Sequence, residues 1–434
     1  MDEITIFWFR RDIRLSDNKG LYYALKNNSA VLPVFIFDTN ILHLFNDRKD
    51  KRVQFIYDEL LNLKKKIEEE AHSSLIIKYG TPEEVFRELF AAYNVTSLYF
   101  NNDYEPYAIE RDKRIRALAK EHNISVYSFK DHVIFETNEV TKDDGKPYTV
   151  YTPYMRKWKS QLATENLTFY PVEEFFSSFK SVAPFQAPAI DDLGFEHVFF
   201  RPPPREIPHS VIKQYEELRD FPFEDNTSKL GIHLRFGTIS IRQVVEQALF
   251  LNEVWLKQLI WREFFMMILW NFPRVVSQSF KPEYDRIEWV NNEEDFARWC
   301  EGKTGYPMVD AGMRQLNQAG YMHNRVRMVT ASFLTKHLLI DWRWGEAYFA
   351  QKLNDYELAS NNGGWQWAAG TGCDAVPYFR VFSPERQEKR FDPGKKYIKK
   401  WVKEYGTDQY PAPVIQHKYA RERALDVYKN ALNS

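Results

Sequence analysis

The chain has 434 residues, with 59 Lys and Arg against 60 Asp and Glu and a formal net charge of −1. Hydrophobic residues make up 44% and charged residues 27%, which excludes a disordered or collagen-like polymer. A polycation that holds nucleic acid by overall charge is excluded too, so any such surface must come from segregated charge.

The length is about two to three times a typical ~150-residue domain. Aromatic residues reach 16%, including 12 Trp. Such rings fill cores, and a surplus also suits stacking on flat rings such as bases or flavins. The two cysteines, Cys300 and Cys373, form no CxxC, so neither a zinc site nor a disulfide framework is supported. A reducing cytoplasm fits this usage. The start, Met1-Asp2-Glu3, lacks a signal-peptide pattern.

In chain order, Ile4-Thr5-Ile6-Phe7-Trp8-Phe9 reads as a buried strand. Residues 21–25 suggest a helix and residues 30–37 a second strand. Residues 52–70 carry apolar side chains at helical spacing. Two more short strands are expected at 74–78 and 97–100, separated by a helix around 82–93. Strands alternating with helices predict a parallel sheet covered on both faces, hence an α/β domain up to about residue 135. Prolines 184, 188, 202–204 and 208 mark 170–208 as a linker by composition. From about Ser210 the pattern is mostly helical. The apolar stretch 254–272 contains Lys257, Arg262 and Glu263, so it reads as a buried helix and not as a membrane span.

No GxGxxG follows the first strand, and GxxxxGK[ST], HExxH and GxSxG are absent. Nicotinamide enzymes, P-loop NTPases and two common hydrolase classes are therefore disfavoured.

Five constellations remain. Thr227-Ser228-Lys229-Leu230-Gly231 offers cap residues and a helix N-terminus, which reads as an ordinary cap or as a phosphate seat. At ~100° per residue, Trp255, Gln258, Trp261, Arg262 and Phe265 share one helix face. Gln and Arg among bulky rings suit a cleft for a flat, polar, anionic ligand, because a buried charge needs a partner. The plainer reading is an arginine snorkelling over a Trp-rich core. Asn324, Arg327 and Met328 fall at i, i+3 and i+4 on another face, while His323 reads as a structural histidine. Residues 355–367, with Asn362-Gly363-Gly364, form a polar segment between helical stretches, either functional or a tight interhelical turn. Last, eight of the eighteen residues 386–403 are Lys or Arg, opposed only by Glu388 and Asp392. Such a run is a solvated basic helix or a surface for a phosphate backbone.

Together these segments resemble the photolyase/cryptochrome flavoproteins. The resemblance runs from Phe7-Trp8-Phe9-Arg10-Arg11-Asp12-Ile13-Arg14-Leu15 to about Lys403. Its longest motif is Asn361-Asn362-Gly363-Gly364-Trp365-Gln366-Trp367, with Pro377-Tyr378-Phe379-Arg380. Leu259-Ile260-Trp261-Arg262-Glu263-Phe264, Glu301-Gly302-Lys303-Thr304-Gly305-Tyr306-Pro307 and Asp341-Trp342-Arg343 add to it. The fold implied is an α/β, Rossmann-like parallel-sheet domain (1–135), a long linker (136–208) and an all-helical FAD-binding domain (209–434).

By the same resemblance, Tyr215 and Thr227, Ser228, Lys229, Leu230 and Gly231 would hold the FAD phosphates. Trp255, Gln258, Arg262, Asn324, Arg327, Asp355, Glu357 and Asn361 would surround the rest of the cofactor, with Arg327 and Asp355 paired beside the flavin ring. The reaction implied is light-driven splitting of a cyclobutane pyrimidine dimer flipped out of DNA. Trp261 and Trp367 would clamp the dimer, and Arg219, Arg325, Arg380 and Gln387 would touch the DNA. Trp365, Trp342 and Trp289, in that order outward, match the family's photoreduction chain.

Asn361 stands where signalling members of the family carry Asp or Cys. Asn324 and Met328 stand where (6-4) photolyases carry two histidines, and neither is a good general acid. A cyclobutane-dimer substrate is therefore expected, with Gln258 in place of a lesion-contacting Glu. A blue-light photoreceptor of the cryptochrome type is the alternative. Tyr107-Ala108 replaces the family's folate-binding Asn-Glu pair, which points the second chromophore away from folate and toward a deazaflavin, another flavin or none. A cytoplasmic monomer acting on damaged DNA, without metal or membrane, completes the expectation.

Overall fold

The computed structural model describes residues 3–224 and 226–433. Two compact units share the chain. One takes residues 1–139, 159–206 and 229–250, and the other residues 140–158, 207–228 and 251–434. Each unit thus draws on separated stretches of chain, whereas the sequence pattern suggests three consecutive blocks.

In the first unit the described residues form one parallel sheet of β1 (Glu3–Phe9), β2 (Val31–Asp38), β3 (Ile76–Gly80), β4 (Asn94–Asn101) and β5 (Ser125–Phe129), in the order β3-β2-β1-β4-β5. The connecting helices are α1 (Lys19–Asn27), α2 (Thr39–Leu42), α3 (Lys51–Ala71), α4 (Pro82–Ala92) and α5 (Pro106–Glu121). The continuous apolar run of β1 is what a parallel strand covered on both faces requires. Phe7 and Phe9 pack with Leu21, Leu25 and Leu60 on one face. Ile4, Ile6 and Trp8 pack with Phe86, Leu89 and Ile115 on the other. α4 begins with a capping box, in which Thr81 Oγ1 accepts from the Glu84 N–H at 3.3 Å and the Glu84 carboxylate accepts from the Thr81 N–H at 3.4 Å.

The Arg10-Arg11-Asp12-Ile13-Arg14 motif is structural. Arg11 pairs with Asp103 at 2.9 Å and Arg14 with Asp131 at 2.6 Å. Arg242 joins Asp131 and Asp17, each at 2.8 Å. Burial raises the Asp131 carboxyl, but Arg14 and Arg242 outweigh it and hold the group well below the usual carboxylate range. The proline-rich stretch is ordered against this sheet. Phe179, Ile190, Leu193 and Phe195 enter the Phe7 core, and the Lys180 N–H donates to the Val31 carbonyl at 2.9 Å.

The rest of the chain is helical: α6 (Tyr151–Thr164), α7 (His209–Lys213), α8 (Tyr215–Leu218), α9 (Gly231–Phe236), α10 (Ile241–Leu251), α11 (Glu253–Asn271), α12 (Glu293–Glu301), α13 (Pro307–Ala319), α14 (Asn324–Ser332), α15 (Trp342–Lys352), α16 (Leu358–Ala369), α17 (Pro384–Phe391), α18 (Lys396–Trp401) and α19 (His417–Asn433). The second unit has its own core, built on Trp299, Met308, Leu316, Val326, Phe333, Trp342 and Trp365. α15 and α16 meet at Gly345, where a Cβ would lie 2.1 Å from the Trp365 ring. Any larger residue there would push the tryptophan out of place.

Candidate active site

The second unit contains a cavity of about 460 Å³, walled by α11, α14 and α16 and the turn before α16. α11 supplies Gln258, Trp261, Arg262 and Phe265. Its start is fixed by Asn252, whose side chain accepts from the Trp255 N–H at 3.1 Å. The face expected from the 100° spacing is therefore real, with one exception. Trp255 is 2% exposed and stands in the core, outside the cavity wall.

α14 contributes Asn324, Arg327 and Met328, the i, i+3, i+4 set. His323 is its N-cap, accepting from the Arg325 N–H through Nδ1 at 3.2 Å, which is the structural role expected of it. Asn324 Nδ2 reaches the Met328 sulfur at 3.8 Å.

Two ion pairs brace the wall. Arg262 holds Glu357 through two hydrogen bonds, Nε to Oε2 at 3.0 Å and Nη2 to Oε1 at 2.8 Å. Arg327 Nη2 reaches both Asp355 oxygens, at 3.1 and 2.9 Å, and its Nε donates to the Met322 carbonyl at 2.7 Å. Ser360 Oγ adds a bond to Glu357 at 3.0 Å. With these two guanidiniums neutralised and Arg219 also in the lining, the cavity offers fixed dipoles and one further cation, which suits an extended heterocycle with polar edges.

Residues 355–367 correct an expectation. The segment from Leu358 is not an interhelical turn, because Asn362, Gly363 and Gly364 lie inside α16. Gly363 is there because a Cβ would lie 2.2 Å from the Phe265 ring, so α16 can approach α11 only without a side chain. Asn362 and Gln366 turn away from the cavity and bond the Val275 carbonyl, each at 2.9 Å. Asn361 does line the cavity, as do Trp365 and Trp367.

A second correction concerns Thr227 to Gly231. Neither Thr227 nor Ser228 caps the following helix, since α9 starts at Gly231 with Leu230 as N-cap and no side-chain cap bond. Lys229 has φ 51°, and that left-handed turn separates the hydroxyl residues from the helix. Thr227 Oγ1 instead lies 3.2 Å from the Tyr321 hydroxyl. Tyr215 is on α8, with the Arg219 guanidinium 5.3 Å from its ring.

Trp261 is stacked on Tyr151, with ring centroids 3.7 Å apart and planes at 8°. The Tyr151 hydroxyl donates to the Lys257 carbonyl at 2.8 Å. Arg219 lines the cavity and donates to Gln258 Oε1 at 3.2 Å. Arg325 pairs with Asp220 at 2.9 Å. Arg380 is exposed, and Gln387 is half-buried on α17. These last three lie outside the cavity lining.

Trp365 and Trp342 are 2% and 1% exposed, and Trp289 is half-buried against the same core. Trp365 carries a buried Nε1 with no hydrogen-bond partner. Phe265 lines the cavity as its place on the α11 face implies, whereas Ser360 and Glu346 are not singled out by the sequence. Ser360 follows Glu357 at i+3. Glu346 carries no sequence signal, because it meets Asn361 only through the packing of α15 on α16. In the first unit the Tyr107 hydroxyl donates to Asp38 at 2.5 Å, and Ala108 is buried. Burial, then the Asp38 bond, pushes the Tyr107 phenol up to about 12.

No helix among the described residues is long and apolar enough to cross a membrane, and none of their His, Cys, Asp and Glu side chains cluster as metal ligands. Residues 5–173 match the family model "DNA photolyase", and residues 255–408 match "FAD binding domain of DNA photolyase". The deoxyribodipyrimidine photo-lyases of Halobacterium salinarum and Escherichia coli are each 34% identical to this chain, over 99% and 98% of both partners. A class III photolyase from Agrobacterium tumefaciens superposes with TM-score 0.87 at 30% identity, covering 100% of this chain and 98% of its own. An archaeal photolyase from Sulfolobus tokodaii with two FAD molecules gives 0.84 at 35%, covering 98% and 100%. A Synechocystis cryptochrome shares the fold, with TM-score 0.81 at 22% identity over 98% of this chain and 99% of its own.

Proposed function

The chain belongs to the photolyase/cryptochrome family, and from that membership we propose that it is an FAD-dependent lyase that uses light to split cyclobutane pyrimidine dimers in DNA. The observation that carries this reading is the 460 Å³ cavity. It combines a wall fit for a flavin with a pair of tryptophans fit for unstacked bases. Two neutralised arginines and the Asn361 carboxamide suit a large planar heterocycle. Arg262, Glu357, Arg327, Asp355 and Asn361 would hold it. The chemistry FAD would supply there, when bound and reduced, is a photoexcited electron for the dimer that would be returned after splitting, with no net redox change.

The protein's own part is to receive the lesion. Flipping a damaged pair costs a few kcal/mol, less than for intact bases. Stacking on Trp261 and Trp367 returns ~1–3 kcal/mol per base. Tyr151 backs one face of Trp261 and leaves the other for a base. Gln258 can bond a thymine edge through its amide while Arg219 holds its carbonyl. Asn324 and Met328 line the same cavity, and neither can donate the proton that (6-4) repair requires. Trp365 and Trp342 are buried in one core and the half-buried Trp289 packs against it, which supports their role in photoreduction. A folate antenna is disfavoured, because the place of its amide–carboxylate pair is taken by a phenol bonded to Asp38 and a buried methyl group. The photoreceptor reading has no comparable support, since Asn361 occupies the position at which signalling members carry Asp or Cys.

The test is blue-light repair by the reduced, FAD-loaded protein of an oligonucleotide with one thymine cyclobutane dimer, read by recovery of thymine absorbance. Repair in the light and none in the dark is expected. Bound FAD without repair would remove the lyase reading.

A further inference from the structure

The first unit contains a polar cavity of about 200 Å³, lined by the three cations Lys19, Lys130 and Arg242. A single water needs only ~10–15 Å³ of such space, so there is room for a larger guest. Among the described residues Glu165 is the one acid in the lining. It is exposed, and its carboxylate accepts from Gln161 Nε2 at 3.1 Å. Asn166 and Thr168 add neutral polar groups.

Arg242 is fixed in place before any guest arrives. The residue is 6% exposed. Its Nε donates to Asp17 Oδ2 and its Nη2 to Asp131 Oδ1, each at 2.8 Å. Asp17 also accepts from the Tyr170 N–H at 2.9 Å. Asp131 also accepts from Arg14 Nη2 at 2.6 Å and from the Lys19 N–H at 3.2 Å. Both carboxylates are buried and already committed. The Nη1 edge of the guanidinium is left with no hydrogen-bond partner among the described residues. Nor does the Lys19 ammonium form an ion pair or hydrogen bond among them. Lys19 and Arg242 lie 5.5 and 5.1 Å from the same Tyr170 ring. Lys130 pairs with Glu139. Burial lowers the Lys19 ammonium from its ordinary value, and Lys130 and Arg242 lower it further, with Glu139 and Asp131 opposing them only in part. Half-buried cations that repel one another and lack a partner are stabilised by an anion placed among them.

We propose that this cavity binds a phosphate dianion, free or as the end group of a small monoester, between the Lys19 and Lys130 ammoniums and the Nη1 edge of Arg242. A phosphate monoester carries a charge of about −1.5 to −2 at pH 7 and three strong acceptor oxygens. That matches three cationic donors, two of them with uncommitted N–H groups. The planar guanidinium gives direction, and the lysines act as point charges. A carboxylate has one charge and two oxygens, and would leave a cation unanswered. All of these groups belong to the first unit. A guest that binds only the folded chain stabilises it by mass action, so the phosphate is a ligand of the fold and not a substrate. Its binding is independent of the reading of the second unit's cavity as the lesion site.

The experiment is calorimetric titration of the FAD-loaded protein, whose own cofactor site is thereby filled, at constant ionic strength in a phosphate-free buffer. The probes are inorganic phosphate, ribose 5-phosphate and, as the uncharged control, ribose. The proteins are the wild type, Lys19→Gln and Lys19→Arg. Wild type should bind one equivalent of a phosphate probe and no ribose. Tighter binding of ribose 5-phosphate would assign the site to a monoester, and tighter binding of inorganic phosphate to the free anion. Lys19→Gln should weaken either probe about tenfold or more, the loss expected for one charge-assisted hydrogen bond. Lys19→Arg should keep most of the binding. Without phosphate, Lys19→Gln should melt no lower than wild type, because it removes a repelled cation, and saturating phosphate should raise the melting temperature of wild type more than that of Lys19→Gln. No saturable binding by the wild type would overturn the proposal. Binding that Lys19→Gln leaves unchanged would do the same, by placing the phosphate on another basic surface.

Discussion

Asn361 donates its side-chain N–H₂ group to Glu346 twice, to the carboxylate at 2.8 Å and to the backbone carbonyl at 3.1 Å. The amide nitrogen is thereby committed, and Oδ1 is left as an acceptor for the cavity. Burial raises the Glu346 carboxyl above its ordinary value of 4.5, and the bond from Asn361 offsets only part of that rise. A carboxyl raised on folding holds its proton more tightly in the folded chain. Its stabilising contribution is complete below the ordinary value and is lost as pH rises through the folded value.

Glu346→Gln keeps an acceptor for Asn361 and removes the ionisation. The variant should therefore melt higher than the wild type at pH 8 and match it near pH 4. Melting curves across that range check this, and a difference independent of pH would contradict it.

The Arg262–Glu357 pair is the most buried ion pair of the cavity wall, with side chains 11% and 6% exposed. Removing one partner leaves a charge without compensation, at a cost of roughly 3–5 kcal/mol for a fully buried pair. Glu357→Ala should lower unfolding stability by about that amount and lose FAD during purification. Denaturant titration and flavin absorbance measure the two effects. A variant that keeps both stability and flavin would show that the pair braces nothing.

Much of this was legible in sequence, for physical reasons that differ by element. β1, β2 and α11 announce themselves by continuous apolar runs. β5 (Ser-Val-Tyr-Ser-Phe) was missed because it is an edge strand with half-exposed alternate residues, too short and polar to stand out. α5 was missed because most of its surface is charged, so its apolar stripe is thin. For α16 the sequence leaves a functional segment and a tight turn both open, because Asn-Gly-Gly is turn chemistry when read locally. The Phe265 ring, from nearly a hundred residues earlier, decides otherwise. Glu346 could not be found at all, since its burial belongs to the packing of two helices and not to its own neighbourhood.

Tyr151 stacks on Trp261 and so fixes which face is available. Such a ring pair is worth about 0.5–1.5 kcal/mol beyond area burial. Tyr151→Leu should weaken binding of dimer-containing DNA about threefold to tenfold and leave undamaged duplex unaffected. Competition between damaged and undamaged oligonucleotides reads this directly. Equal weakening of both would remove the buttressing role.

Trp342 is buried in the same core as Trp365, and the half-buried Trp289 packs against that core. Trp342→Phe keeps an aromatic in the core and removes the more easily oxidised ring. Light-driven reduction of bound FAD should slow at least tenfold, while repair by chemically reduced protein stays near wild type. Transient absorbance after a light pulse measures the first and the dimer assay the second. Unimpaired photoreduction would mean that electrons take another route.

The most direct measurement is a paired repair assay under blue light with the dithionite-reduced holoprotein. One oligonucleotide carries a thymine cyclobutane dimer and the other a (6-4) lesion at the same position, each with a dark control. The account predicts light-dependent reversal of the cyclobutane dimer and none of the (6-4) lesion. Reversal of neither lesion by protein that holds reduced FAD, or reversal of the (6-4) lesion alone, would contradict it.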